Sequence, residues 1–156
     1  MRGLLSVTAT VTLLAGVAWG GGEDAKKDLA KMQGKWVVVK HQAGGKDTPD
    51  EQTKMLNIRL NIKDDKYVIY LGEGEAGKGW IKLDPSKKPA QLDIGVDSGE
   101  TGKKQVMKAI YKWDGEDMVV VVSQPTDERP TEFKTSADKG WTMITYRRDM
   151  DKKDKK

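Results

Sequence analysis

The stretch with the most chemical promise is Gly72-Glu73-Gly74-Glu75-Ala76-Gly77-Lys78-Gly79, which fits G-x-G-x-x-G and follows G-x-x-x-x-G-K up to its final position. Glycines at such spacings let a backbone wrap a phosphate, and the lysine adds charge. Two features argue against that chemistry. A phosphate loop ends in Ser or Thr to hold magnesium, where this chain has Gly79. It must also open a helix whose N-terminal amides face the anion. Here the glycines run into Trp80-Ile81-Lys82-Leu83, a strand-like run, and Glu73 and Glu75 repel phosphate. The stretch reads as a hairpin loop.

Other catalytic and metal chemistry lacks material. His41 is the only histidine and there is no cysteine, so zinc has too few ligands and a thiol nucleophile is impossible. One histidine without a nucleophile signature makes no Ser-His-Asp arrangement. Calcium needs spaced oxygen ligands in one loop, which neither Asp64-Asp65 nor the C-terminal aspartates supply. Two carboxylates can cleave glycosides, but the 24 acids are scattered and no pair stands out. The expectation is a chain that is not an enzyme, with no catalytic residue, metal or cofactor. Its +4 formal charge suggests nucleic acid until the pattern is read. Lysines alternate with acids, as in Lys63-Asp64-Asp65-Lys66, so the basic stripe of a nucleic-acid binder is missing.

The elements that position these residues are short and mostly β. Met1-Arg2, the apolar Leu4 to Val17 and the small residues Ala18 and Gly20 read as a signal peptide over 1–20. That run is too short to span a membrane, and Val17 stands where a lipidated cysteine would be. The expectation is export to the periplasm or beyond, without a membrane anchor. One domain is expected over 21–148, followed by a disordered charged tail over 149–156. Asp24 to Met32 reads as a short helix. Pro49 to Met55 reads as a second, after the first strand, with Asp47 or Thr48 as its cap.

Eight runs rich in Val, Ile, Tyr and Trp read as strands: 35–41, 56–63, 66–71, 78–83, 91–96, 105–113, 117–123 and 141–148. In the second, Leu56, Ile58, Leu60 and Ile62 alternate with polar residues, which puts the aliphatics on one face. The sixth sets Met107, Ala109, Tyr111 and Trp113 against Val106, Lys108, Ile110 and Lys112. The seventh is apolar on both faces, so something packs on its outside. Tight turns at Lys63–Lys66 and Trp113–Asp117 make neighbouring strands antiparallel. The fold class is all-β, and an eight-stranded up-and-down barrel removes exposed edges. A two-sheet sandwich is the alternative.

Gly34-Lys35-Trp36, at the start of the first strand and after a short helix, resembles the G-x-W entry motif of lipocalins (calycins). The resemblance implies that Trp36 closes the bottom of a barrel against an arginine of the last strand. Arg147 is assigned that role, with neighbouring Arg148 as the alternative. Met32 to Val39, Leu83-Asp84-Pro85-Ser86-Lys87-Lys88-Pro89, Ile110-Tyr111 and Glu128-Arg129-Pro130-Thr131-Glu132-Phe133 extend it. Together they resemble a family of uncharacterised secreted lipocalin-like domains abundant in planctomycete bacteria. What this implies is fold and export, not activity. Trp80 stands where the resemblance implies a smaller residue, and an inward Trp80 would narrow the cavity.

The functional expectation is a secreted binding protein that carries or sequesters a small apolar molecule. Leu60, Met107, Tyr111, Trp113 and Met143 are the candidate cavity lining, in a pocket of about 300–1,000 Å³. The alternative is an envelope interaction or structural module with a filled barrel, whose partner is unknown and whose outer Val106 and Ile110 form a patch. The N-terminal segment is a second candidate to cover that patch. Arg129 and Glu132 are a candidate rim loop for polar recognition. In the other reading Pro125 and Pro130 stiffen that connection and Phe133 pins it.

Overall fold

The computed structural model describes residues 22–97 and 104–150. The signal-peptide reading and all but the first two residues of the tail therefore lie outside the described residues. The first described element is helix α1 (Gly22–Met32), with Glu23 and Asp24 in its first turn and Lys31 in its last. That charge order complements the helix dipole. Strands β1 (Gly34–Ala43), β2 (Lys46–Asp47), β3 (Ile58–Lys63), β4 (Lys66–Leu71), β5 (Gly74–Asp84), β6 (Gln91–Val96), β7 (Gln105–Asp114), β8 (Asp117–Val122) and β9 (Thr142–Arg148) follow, with helix α2 (Asp50–Leu56) between β2 and β3. The order β1-β3-β4-β5-β6-β7-β8-β9 closes by pairing β9 back onto β1, every pair antiparallel. Among the described residues this is a closed eight-stranded, lipocalin-like barrel with two short helices, and the two-residue β2 pairs with the end of β1. The sandwich alternative falls.

Strand alternation divides the barrel wall into two faces. Inward residues, among them Val38, Leu60, Ile62, Ile81, Leu83, Leu92, Ala109, Met118 and Val120, form one buried cluster with Trp36 and Met32. A second cluster lies outside the wall. The register aligns Gln42, Met143, Val121 and Ile110 in one row across β1, β9, β8 and β7. The connection between β8 and β9 crosses that row as a belt, adding Phe133 and Trp141 to Ile110, Val121 and Met143. That explains why β8 is apolar on both faces. It also corrects the expected cover, which is this belt and not the N-terminal segment, and it removes Ile110 from any exposed patch, since Ile110 is 1% exposed.

Arg129 fastens one end of the belt. It donates to the Leu92 and Ala109 carbonyls at 3.1 and 2.8 Å and pairs with Asp93 at 2.5 Å. At the other end the Thr135 hydroxyl donates to the Gln42 side chain at 3.0 Å and accepts from the Gly45 amide at 2.9 Å.

The glycine-rich stretch is more regular than expected. Only Gly72-Glu73 is a turn, and β5 starts at Gly74 and pairs with β4 from Leu71↔Gly74 to Lys66↔Trp80. Within it Gly79 serves close packing, as does Gly95, which faces Trp80 from β6. A Cβ on Gly95 would sit 2.0 Å from the Trp80 ring, and one on Gly79 would sit 1.9 Å from the Gly95 carbonyl oxygen. Trp80 lies across Gly95 on the outer face, so it takes no space inside. Two further boundaries move. Leu56 ends α2 instead of opening a strand and is 48% exposed, because Asn57 turns left-handed at φ 43. The cap position of α2 is Pro49, whose ring has no group to cap with, and the Thr48 hydroxyl is engaged with His41 Nδ1 at 2.8 Å.

Candidate functional site

Trp36 is fully buried and its indole N–H donates to the Met32 carbonyl at 2.8 Å. The arginine over its ring is Arg148, with the guanidinium carbon 3.9 Å from the ring centroid. The Arg148 guanidinium also donates to the Gln33 and Lys31 carbonyls, so it caps α1. Arg147, assigned this role from sequence, does not hold it. The register sets Trp36 beside Arg148 and Val37 beside Arg147, and adjacent residues of a strand face opposite ways. Arg147 points outward and grips Asp117 through two hydrogen bonds of 3.0 and 2.8 Å. That pairing holds the Asp117 carboxyl below its usual range. Gly34 adopts φ +102, and a Cβ there would lie 3.1 Å from Arg148 Nη1. This left-handed geometry favours glycine, which lets β1 begin under the arginine.

Gln33 bolts the end of α1 to the β3–β4 turn. It donates to the Leu29 and Asp64 carbonyls at 3.0 and 2.9 Å, and its oxygen accepts from the Asp64 amide at 2.7 Å. The tilted ring of Trp113 stands 6.1 Å from Trp36, and the Lys31 ammonium lies 4.0 Å over Trp113. The Tyr111 hydroxyl donates to the Asp28 carboxylate at 2.5 Å. Burial, then that hydrogen bond, raise the Tyr111 phenol far above its ordinary range.

Above this floor the interior is nearly full. Its apolar cavity measures about 60 Å³ and is lined by Leu60, Ile69, Met118, Val120, Tyr67, Tyr146 and neighbouring aliphatics. Of the five expected lining residues, Leu60 lines it. Met107 is half-buried on the inward face beside Ile94 and does not reach it. Tyr111 and Trp113 belong to the floor. Met143 lies outside, under the belt: Ile144 and Tyr146 take the inward positions of β9. Sequence reasoning missed Tyr67, Tyr146 and Met118, whose bulk fills the space. Burial raises both of those tyrosine phenols.

Of the rim pair, Arg129 is committed to the barrel wall, and Glu132 makes an exposed ion pair with Lys134 at 3.2 Å. The largest concavity among those described lies at the closed end, between α1, the β5–β6 connection, the end of β7 and Phe133 of the belt, and measures about 420 Å³. Among the described residues no group of three or more metal-binding side chains comes together, and no helix is long and apolar enough to cross a membrane. No family model, no curated protein and no solved structure matches the chain.

Proposed function

We propose that this chain is an exported, non-enzymatic lipocalin-like binding module that meets its partner from outside the barrel. The observation that carries this is the cavity of about 60 Å³. A site for a whole small molecule measures about 300–1,000 Å³, and even benzene occupies an engineered void of about 150 Å³. The barrel interior serves as core.

Export rests on the leader read over 1–20. Sequencing the N-terminus of the secreted product should find Gly21. A product that keeps residues 1–20 would contradict export by cleavage.

The competing reading, carriage of a small apolar molecule, is decided by titrating residues 21–156 with the neutral probe N-phenyl-1-naphthylamine. The filled barrel predicts no saturable fluorescence gain. One stoichiometric site, lost in Ile69→Trp, would establish carriage instead.

A further inference from the structure

We propose that the cleft at the closed end binds a small organic anion, a flat apolar body carrying one carboxylate, sulfate or phosphate; this rests on the reading of the chain as a module that binds from outside its barrel. The cleft measures about 420 Å³, within the range of about 300–1,000 Å³ for small-molecule sites. Three of the segments singled out in the sequence meet there. Pro85 and Pro89 come from the first, Tyr111 from the second and Phe133 from the third. With Trp113 they supply apolar and aromatic walls.

The charge at its rim selects the ligand's sign. The Lys31 ammonium is held 4.0 Å over Trp113, and that of Lys112 4.6 Å over Phe133. Ring faces that already hold the protein's own cations reject a cationic ligand. Lys27 and Lys88 line the cleft as well. Of the charges that line the cleft, three lysines (Lys27, Lys88 and Lys112) stand against two acids, with Lys31 over Trp113 and Asp84 acting on Tyr111 beside it. Asp24 lies 4.0 Å from Lys27, and Asp28 accepts the Tyr111 hydroxyl. A positive excess remains for the ligand.

The probe is 1-anilinonaphthalene-8-sulfonate, a flat body with one sulfonate, titrated into residues 21–156 at low salt. The expected result is one saturable site with a Kd below roughly 100 µM. Lys88→Glu with Lys112→Glu should weaken it about tenfold, and high salt should weaken it too. Thermal melts confirm that each variant is folded. Lys88→Gln, an exposed loop change, tests the same direction if the double variant does not fold. No saturable binding overturns the proposal, and so does binding that ignores both charge reversal and salt. Displacement by inorganic sulfate or phosphate at equal concentration would reassign the cleft to a bare anion and also overturn it. Loss of binding in Ile69→Trp, with the lysine variants unaffected, would put the probe inside the barrel and bring down the underlying reading as well.

Discussion

Two adjacent arginines with opposite duties show how strand parity sets a residue's role. Arg148 lies on the Trp36 ring and caps α1, whereas Arg147 reaches over the outer face of the wall to hold Asp117. A cation over an indole contributes about 0.5–2 kcal/mol, and hydrogen bonds from a charged group about 1.5–3. Because these overlap, Arg148→Ala is expected to lose about 2–4 kcal/mol in urea unfolding. Arg147→Ala should lose less, since the arginine of this pair is largely exposed. Equal losses from both would contradict the assignment. This parity was legible in the sequence once Tyr146 is placed inward, because Arg148 shares its face. Nothing in Arg147-Arg148 alone reveals it.

The buried tyrosines give a residue-scale pH dependence. Tyr67, Tyr111 and Tyr146 all have phenols raised above the usual 10.0. The unfolded chain therefore releases these protons first. Their stabilising contribution is complete below pH 10 and is lost as pH rises beyond it. Unfolding free energy should fall steadily above about pH 10, and Tyr111→Phe should lessen the slope. A stability that stays flat through that range would contradict the burial of these groups.

Among the elements, β5 and β6 depend on Trp80 lying flat on Gly95. Gly95→Ala drives a Cβ into the ring and should cost about 1–3 kcal/mol. Trp80→Ala should relieve much of that, so a double-mutant cycle will be non-additive. Additivity would mean the ring does not cover Gly95. The belt makes a second element-scale test. Trp141 is 6% exposed over Ile110 and Val121, and Trp141→Ala should lose about 3–5 kcal/mol. A loss near zero would make the belt a loose loop.

These elements also show what the sequence could carry. The inward set of β3 after Leu56, the β3–β4 and β7–β8 turns and the G-x-W entry were readable, because period-2 alternation and turn residues are local signals. Met143 was misplaced because Met143-Ile144 offers two apolar neighbours. A belt contributed from residues 123–141 makes the outer one apolar too, and no local pattern announces such a cover. The cleft was unreadable for a similar reason. Its walls come from four segments far apart in the chain, each unremarkable alone.

At the scale of the whole molecule, eight strands set a barrel whose interior is either packed or holds one ligand. Side-chain volume decides between these, and here Tyr67, Met118 and Tyr146 crowd the aliphatics from within while Met32 and Trp36 close the base. On the proposed reading any ligand sits outside, where the closed end presents the largest described concavity. The most direct test of that account is a methyl-resolved NMR titration of residues 21–156 with decanol. The filled barrel predicts that the Leu60, Ile62, Met118 and Val120 methyl resonances stay fixed. Saturable shifts confined to those four would show a ligand inside the barrel and contradict the account.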